Sequence, residues 1–216
     1  MNGSLLPLLP AILLSYLAGS FPTSILVSRL VKGIDIRQHG SGNAGGTNVL
    51  RVVGWKAALF VALVDVGKGW LAAAVISRLS FGGASPAPVT AMTIAGTASV
   101  VGHIYPVFAG FRGGKGVGTT AGMMIAIHPL VLAACAPIFF VTVLATRMVS
   151  LGSVLAAASF PLLLWAMSGT SWVRENPWPF WIVAGLALLI VVKHRSNILR
   201  ILAGTENRLG RRPSAS

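Results

Sequence analysis

Arg51 closes a run of small and polar residues, Gly40-Ser41-Gly42-Asn43-Ala44-Gly45-Gly46-Thr47-Asn48-Val49-Leu50-Arg51. Glycines such as Gly42 and Gly45 let backbone N–H groups turn inward and approach a ligand closely, which makes an anion-binding concavity. Ser41, Asn43, Thr47 and Asn48 add side-chain donors, and the forked guanidinium of Arg51 matches the geometry of phosphate. A glycine-rich loop alone is an ordinary solvated turn. So many donors beside Arg51 make this one a candidate phosphate site.

A second run, Gly110-Phe111-Arg112-Gly113-Gly114-Lys115-Gly116-Val117-Gly118-Thr119, looks like a nucleotide P-loop and fails the test for one. Ala109 stands where the first glycine belongs, and Gly116 follows Lys115 where Ser or Thr should hold magnesium. The physics outlives the failed motif: Gly113, Gly114 and Gly116 with Lys115 at the start of a helix still make a phosphate cradle. The third run is Lys193-His194-Arg195-Ser196-Asn197-Ile198-Leu199-Arg200, ending in Gly204-Thr205-Glu206. If the last helix continues past Val192, His194 and Asn197 are three apart and share a face. Interfacial anchoring accounts for Arg195 and Arg200 but poorly for the His and Asn pair.

Other polar residues read as structural. His103 is a lone histidine near a helix end, and His128 precedes Pro129. Asp65 and Lys68 are three apart in an apolar stretch, where ionisable groups are expensive and pair with one another. Gly67 and Gly69 beside them allow close helix packing. Asp35 is the only carboxylate in the polar loops Lys32–Gly54 and Gly110–Gly118 that carry the first two runs, and Glu206 the only one in the third, so neither paired catalytic carboxylates nor a magnesium site is expected. No His is followed five residues later by Asp, which removes one familiar acyltransferase arrangement. The one cysteine, Cys135, excludes an intrachain disulfide and argues against a cysteine-based metal site. No metal or cofactor is expected.

These runs must be carried by membrane helices. Of 216 residues, 55% are hydrophobic and 10% charged, with a mean hydropathy of +0.80. A soluble domain carries roughly 25% charged residues and needs a polar exterior. The expected fold is all-α, one integral membrane domain over residues 1–216 with a partly disordered polar tail over 205–216. Met1 to Ser4 carries no basic residue, so Leu5–Val27 reads as a retained first span rather than a cleaved signal. Further spans are expected at Ala57–Ile76, Pro88–Phe108, Leu130–Thr146, Leu151–Met167 and Trp178–Val192, with a short segment, Val117–Ile127, between the third and fourth. Counting that segment as a crossing gives seven spans, N-terminus outside and C-terminus cytoplasmic. Fourteen of the seventeen Lys and Arg then lie on the cytoplasmic side, as the positive-inside rule prefers. Joining it to its successor gives eight against eight. All three polar runs then face the cytoplasm, so the formal charge of +13 belongs to topology and anion binding and not to nucleic acid.

Taken together, the three runs resemble the bacterial acyl-phosphate:glycerol-3-phosphate acyltransferases, small proteins of the inner membrane. The likeness starts at Gly19-Ser20-Phe21-Pro22-Thr23-Ser24 and continues through Gly40 to Arg51. It resumes over Gly102-His103-Ile104-Tyr105-Pro106-Val107-Phe108 and Gly113 to Val117, then over Lys193 to Ile198 and Gly204-Thr205-Glu206. Gly46 stands where the family has Ala, and the stretch after Lys115 is richer in Gly and Thr. Neither change removes a donor or a charge.

The resemblance implies transfer of an acyl group from a fatty acyl phosphate to the 1-hydroxyl of glycerol 3-phosphate. The products would be 1-acylglycerol 3-phosphate (lysophosphatidic acid) and phosphate, in phospholipid synthesis. By position, Ser41, Arg51, Lys115, His194 and Asn197 should bind glycerol 3-phosphate or act at the reacting centre. The glycine loops, with Gly45, Thr47, Gly114 and Gly116, should hold the acyl phosphate, and Glu206 should be structural, orienting a basic neighbour. Direct attack fits so reactive a donor, with His194 or a donor phosphate oxygen taking the proton; Ser41 is the competing nucleophile. A membrane transporter of phosphate or a phosphorylated organic anion is the alternative, using the same cationic loops from both faces.

Overall fold

A computed structural model describes residues 6–79 and 87–210. Among the described residues there are α- and 3-10 helices and no strands. The α-helices are α1 (Leu9–Gly19), α2 (Thr23–Lys32), α3 (Gly46–Val52), α4 (Trp55–Ala74), α5 (Pro88–Ile104), α6 (Val117–Ile127), α7 (Pro129–Thr146), α8 (Val149–Glu175), α9 (Pro177–Lys193) and α10 (Arg195–Leu202). Five stretches are long and apolar enough to cross a membrane: Leu6–Lys32, Trp55–Arg78, Pro88–Ala109, Pro129–Thr146 and Val149–Glu175. The bent pair α9 and α10 would make a sixth. Many of their large apolar side chains lie outward, among them Leu13, Leu63, Leu144, Leu162 and Leu188. In water that would be a liability; against lipid tails it is the ordinary surface.

The spans differ from expectation in two places. The first is not continuous: α1 ends at Gly19, Ser20 caps it, and α2 starts after Pro22. Pro22 lacks the N–H that would carry a helix through, and the apolar average conceals the break. Second, the last helix does not run straight past Val192 but bends by 55° at His194. The short segment has the expected bounds: α6 has 11 residues. At 1.5 Å per residue it spans roughly half of the ~30 Å hydrocarbon layer.

The chain divides into two compact units, residues 1–129 and 130–216. In the first, glycines set the helix spacing. A Cβ on Gly19 would overlap the Ser99 carbonyl, and one on Gly102 the Tyr16 carbonyl, so α1 and α5 touch backbone to backbone. Gly69 and Gly122 do the same between α4 and α6, against Thr119 and Val66. Beside these helices Ile25, Ile36, Val49 and Val61 bury a small apolar cluster with Ala44. That cluster anchors both ends of the first polar run.

In the second unit α8 packs on α9 and α10. Gly152 lets α8 approach α7, since a Cβ there would lie 3.0 Å from the Phe139 carbonyl. Within the polar tail, Thr205 N–H donates to Arg200 O and Leu209 N–H to Arg147 O, both at 2.8 Å. Arg211 to Ser216, expected to fray, lie outside the described residues.

Candidate active site

The first run is a folded object built around Asn48, which is buried at 2% exposure. Its Oδ1 accepts from Ser41 N–H at 3.0 Å, and its Nδ2 lies within 3.1 Å of the carbonyls of Ile36, His39 and Asn43. The amide, expected among the substrate contacts, is spent inside the loop, so it shapes the site from within. Gly40 and Gly42 adopt left-handed conformations around it, and a Cβ on Gly40 would strike Asn48 Oδ1. Ser41 sits exposed between them, and Asn43 is half-buried. Gly45 caps α3, which opens at Gly46. Thr47 and Arg51 are four apart on α3 and share a face, both half-buried.

Upstream, Asp35 and Arg37 form a clip. Arg37 Nη2 and Nε donate to the two carboxylate oxygens at 2.7 and 3.0 Å, and Arg37 N–H donates to Oδ1 at 3.0 Å. These donors hold the Asp35 carboxyl well below the ordinary carboxylate range, the Arg37 side-chain bond being the main cause, and the carboxylate raises the Arg37 pKa in turn. Held so, Arg37 Nη1 reaches across and donates to Ala109 O at 2.8 Å, at the mouth of the second run.

The second run doubles back on the end of α5. Gly113 N–H donates to Ile104 O at 3.2 Å, and Gly114 N–H to His103 O at 3.1 Å. These carbonyls are orphans of the helix terminus, and the loop satisfies them. The expectation that Gly113 and Gly114 aim their N–H groups at a ligand therefore meets N–H groups already engaged. The anion-seeking feature of this run lies just beyond, in half-buried Lys115 and the N-terminus of α6, whose N-cap Gly116 is left-handed at φ 85°. A Cβ on Gly116 would press on Ile104 and Val100 at 3.0 Å.

The first two runs, far apart in the chain, thus lie together. Besides the Arg37–Ala109 bond, one pit is lined by Ala44 of the first run and Gly113 and Gly114 of the second. Asp65, Lys68 and His103 line it too. Lys68 Nζ is 2.8 Å from Asp65 Oδ1, which makes the expected ion pair, and His103 Nδ1 is 3.4 Å from the same oxygen. Sequence reasoning missed that third member because it stands on another helix. Arg37 was missed as well, its bridge being visible only once Ala109 is in place.

In the second unit, His194 and Asn197 are both buried, at 3% and 5% exposure, although a bend separates their helices. His194 Nδ1 lies 2.8 Å from Ile190 O. As donor to that carbonyl, a neutral ring carries its proton on Nδ1 and its basic lone pair on Nε2. Asn197 Nδ2 donates to Glu206 Oε1 at 2.7 Å, and Ser150 Oγ donates to the same oxygen at 2.9 Å. Arg200 Nε donates to Glu206 Oε2 at 2.8 Å, which makes Glu206 the partner of a basic neighbour. Among the described residues no three His, Cys, Asp or Glu side chains gather where a metal could sit.

Residues 9–204 match the profile of the glycerol-3-phosphate acyltransferase family. The glycerol-3-phosphate acyltransferase of Chlorobaculum tepidum is 44% identical over 95% of this chain and 97% of its own length. That of Salinibacter ruber is also 44% identical, over 92% and 90%. The crystal structure of PlsY, an integral membrane glycerol 3-phosphate acyltransferase, in its glycerol 3-phosphate form matches with a TM-score of 0.80 at 35% identity. The match covers 93% of this chain and 94% of that one, and the lysophosphatidic acid form of the same enzyme gives 0.78. With polar loops assembled beside apolar helices and likeness over nearly the whole chain, this multi-pass membrane protein belongs to the glycerol-3-phosphate acyltransferase family.

Proposed function

We propose that the chain transfers an acyl group from a fatty acyl phosphate to the 1-hydroxyl of glycerol 3-phosphate, yielding 1-acylglycerol 3-phosphate and inorganic phosphate. The observation that carries the reading is the joining of the two glycine runs by Arg37 and Ala109. Both substrates bear phosphate and repel one another. A site that takes them together needs two cationic, donor-rich loops side by side, here those of Arg51 and Lys115.

The hydroxyl oxygen of glycerol 3-phosphate attacks the acyl carbon, the new C–O ester bond forms, and the bond from that carbon to the phosphate oxygen breaks. The electron pair leaves with phosphate, a good leaving group, so no acyl-enzyme is needed. Arg51, Lys115 and the α6 N-terminus oppose the charge that grows on the leaving group. The hydroxyl proton goes to His194 Nε2 or to a phosphate oxygen of the donor. Ser41, exposed beside Asn48, contributes a hydroxyl donor to the acceptor's phosphate, while Gly45 and Thr47 face the acyl phosphate.

The same reading places the enzyme in the bacterial inner membrane with seven crossings, α6 being a short fourth, and the active site at the cytoplasmic boundary. The one-sided distribution of Lys and Arg supports it. The test supplies purified protein with fatty acyl phosphate and glycerol 3-phosphate and follows release of phosphate and lysophosphatidic acid. Release of both in equal amounts is expected. No turnover at any chain length overturns the reading, and turnover with acyl-CoA alone overturns the donor.

A further inference from the structure

Asp65, Lys68 and His103 are each less than a tenth exposed, and the transfer step uses none of them. Replacing a buried ion pair by apolar side chains of similar volume is often neutral for stability, so stability alone does not call for this one. What apolar side chains cannot do is fix the rotation of an imidazole. Asp65 Oδ1 lies against His103 Nδ1, and that turns Nε2 toward the backbone of Gly114, where a Cβ would land on it. The carbonyls of His103 and Ile104 meanwhile hold the N–H groups of Gly114 and Gly113. The ring and its own backbone therefore grip the loop from two sides, one residue before Lys115.

Asp65 is itself held in place. Its Cβ lies 3.4 Å from where a Cβ on Gly118 would be, under the first turn of α6. Lys68 Nζ is 2.8 Å from the carboxylate and donates to Phe21 O at 3.4 Å, in the corner between α1 and α2. Ser99 Oγ of α5 donates to Lys68 O at 3.3 Å.

We propose that Asp65 and His103, braced by Lys68, are positioning residues that lock the Gly113–Lys115 segment and so set where the Lys115 ammonium meets phosphate. The inference rests on the function proposed above for its kinetic readout and on amide exchange for a readout independent of it.

The test uses full-length purified protein and the paired change Asp65→Leu with Lys68→Met, which removes the acceptor of His103 Nδ1 and leaves no buried net charge behind. Amide exchange over residues 110–118 should accelerate by about tenfold as the loop unlocks. The KM for glycerol 3-phosphate should rise by about tenfold, with kcat falling less. Combined with Lys115→Ala, the paired change should then add less than about a twofold loss in kcat/KM, because it acts through a side chain no longer present. Losses that multiply, or exchange that stays at the wild-type rate, overturn the proposal. Should the paired variant fail to fold, His103→Asn takes its place in the same cycle. It keeps a donor for Asp65 while withdrawing from Gly114, and it is held to the same two criteria. A wild-type protein without turnover would count against the function alone, since the exchange arm reads out regardless.

Discussion

Asn197 Nδ2 donates to Glu206 Oε1 at 2.7 Å, which ties a residue of the candidate site to a carboxylate with no exposed side-chain surface. Ser150 and Arg200 complete its shell. Replacing Glu206 by Ala strands the Asn197 amide and the Ser150 hydroxyl without their acceptor. The expected loss is about 2–3 kcal/mol of stability. It should appear as a lower melting midpoint in detergent, with Glu206→Gln milder because one acceptor oxygen survives. An unchanged midpoint in Glu206→Ala would remove the carboxylate from its structural role.

The Asp35 clip predicts a pH dependence. A carboxyl whose folded pKa is depressed contributes fully above its unfolded value of about 3.9, and that contribution fades as pH falls toward the folded value. Wild-type protein should therefore lose melting temperature steeply below about pH 4. Asp35→Asn should start lower at neutral pH and show a shallower acid slope. The chain has only four Asp and Glu, so the difference curve can be assigned. Parallel slopes in the two proteins would exclude the clip as a contributor.

Much of this was legible in the residues, and what was not has a physical cause. Glycine, amide and cation in one short run are a local signal, and the runs of Arg51 and Lys115 do lie together in one unit. Asp65 and Lys68 were readable because three residues of helix bring them to one face. His103, Arg37 and Ser150 were not, since each acts on a group brought to it by tertiary packing; Ser150 and Glu206 are 56 residues apart. Asn48 and the N–H groups of Gly113 and Gly114 carry the subtler lesson. A donor's type says that it will be satisfied and leaves open whether loop or ligand satisfies it. Pro22 did mark the break in the first span, but windowed hydropathy averages over a three-residue interruption.

Helix spacing in the first unit predicts a contrast between two glycines of α4. A Cβ on Gly69 would enter the Thr119 carbonyl, whereas nothing lies within 4 Å of one on Gly67. Gly69→Ala should cost about 1–3 kcal/mol as α4 and α6 are forced apart. Gly67→Ala should be neutral or gain up to about 1 kcal/mol from helix propensity. Melting curves of the two proteins in the same detergent decide it, and equal midpoints would contradict the close approach.

Arg51 and Thr47 share a face of α3, and the proposed role of Arg51 is a forked contact to phosphate. Lysine keeps the charge but presents a point rather than a fork. Arg51→Lys should therefore lose roughly 1.5–3 kcal/mol of transition-state stabilisation, or about 10- to 150-fold in kcat/KM. Wild-type kinetics in that variant would reduce Arg51 to a source of charge.

His194 separates the two fates of the hydroxyl proton. In His194→Asn the side-chain amide stands near the position of Nδ1, so donation to Ile190 O survives while the basic Nε2 is gone. If a phosphate oxygen of the donor is the base, this variant should retain kcat within about tenfold of wild type, with its pH profile unmoved. If Nε2 is the base, kcat should fall by about 100-fold or more, and any acidic limb of the profile due to imidazole should vanish. The donor's own reactivity favours the first outcome. An acyl phosphate carries a leaving group that departs without protonation, and its oxygens lie within reach of the attacking hydroxyl in any productive pose. A histidine that mainly orients the acceptor would then show its loss in the KM for glycerol 3-phosphate.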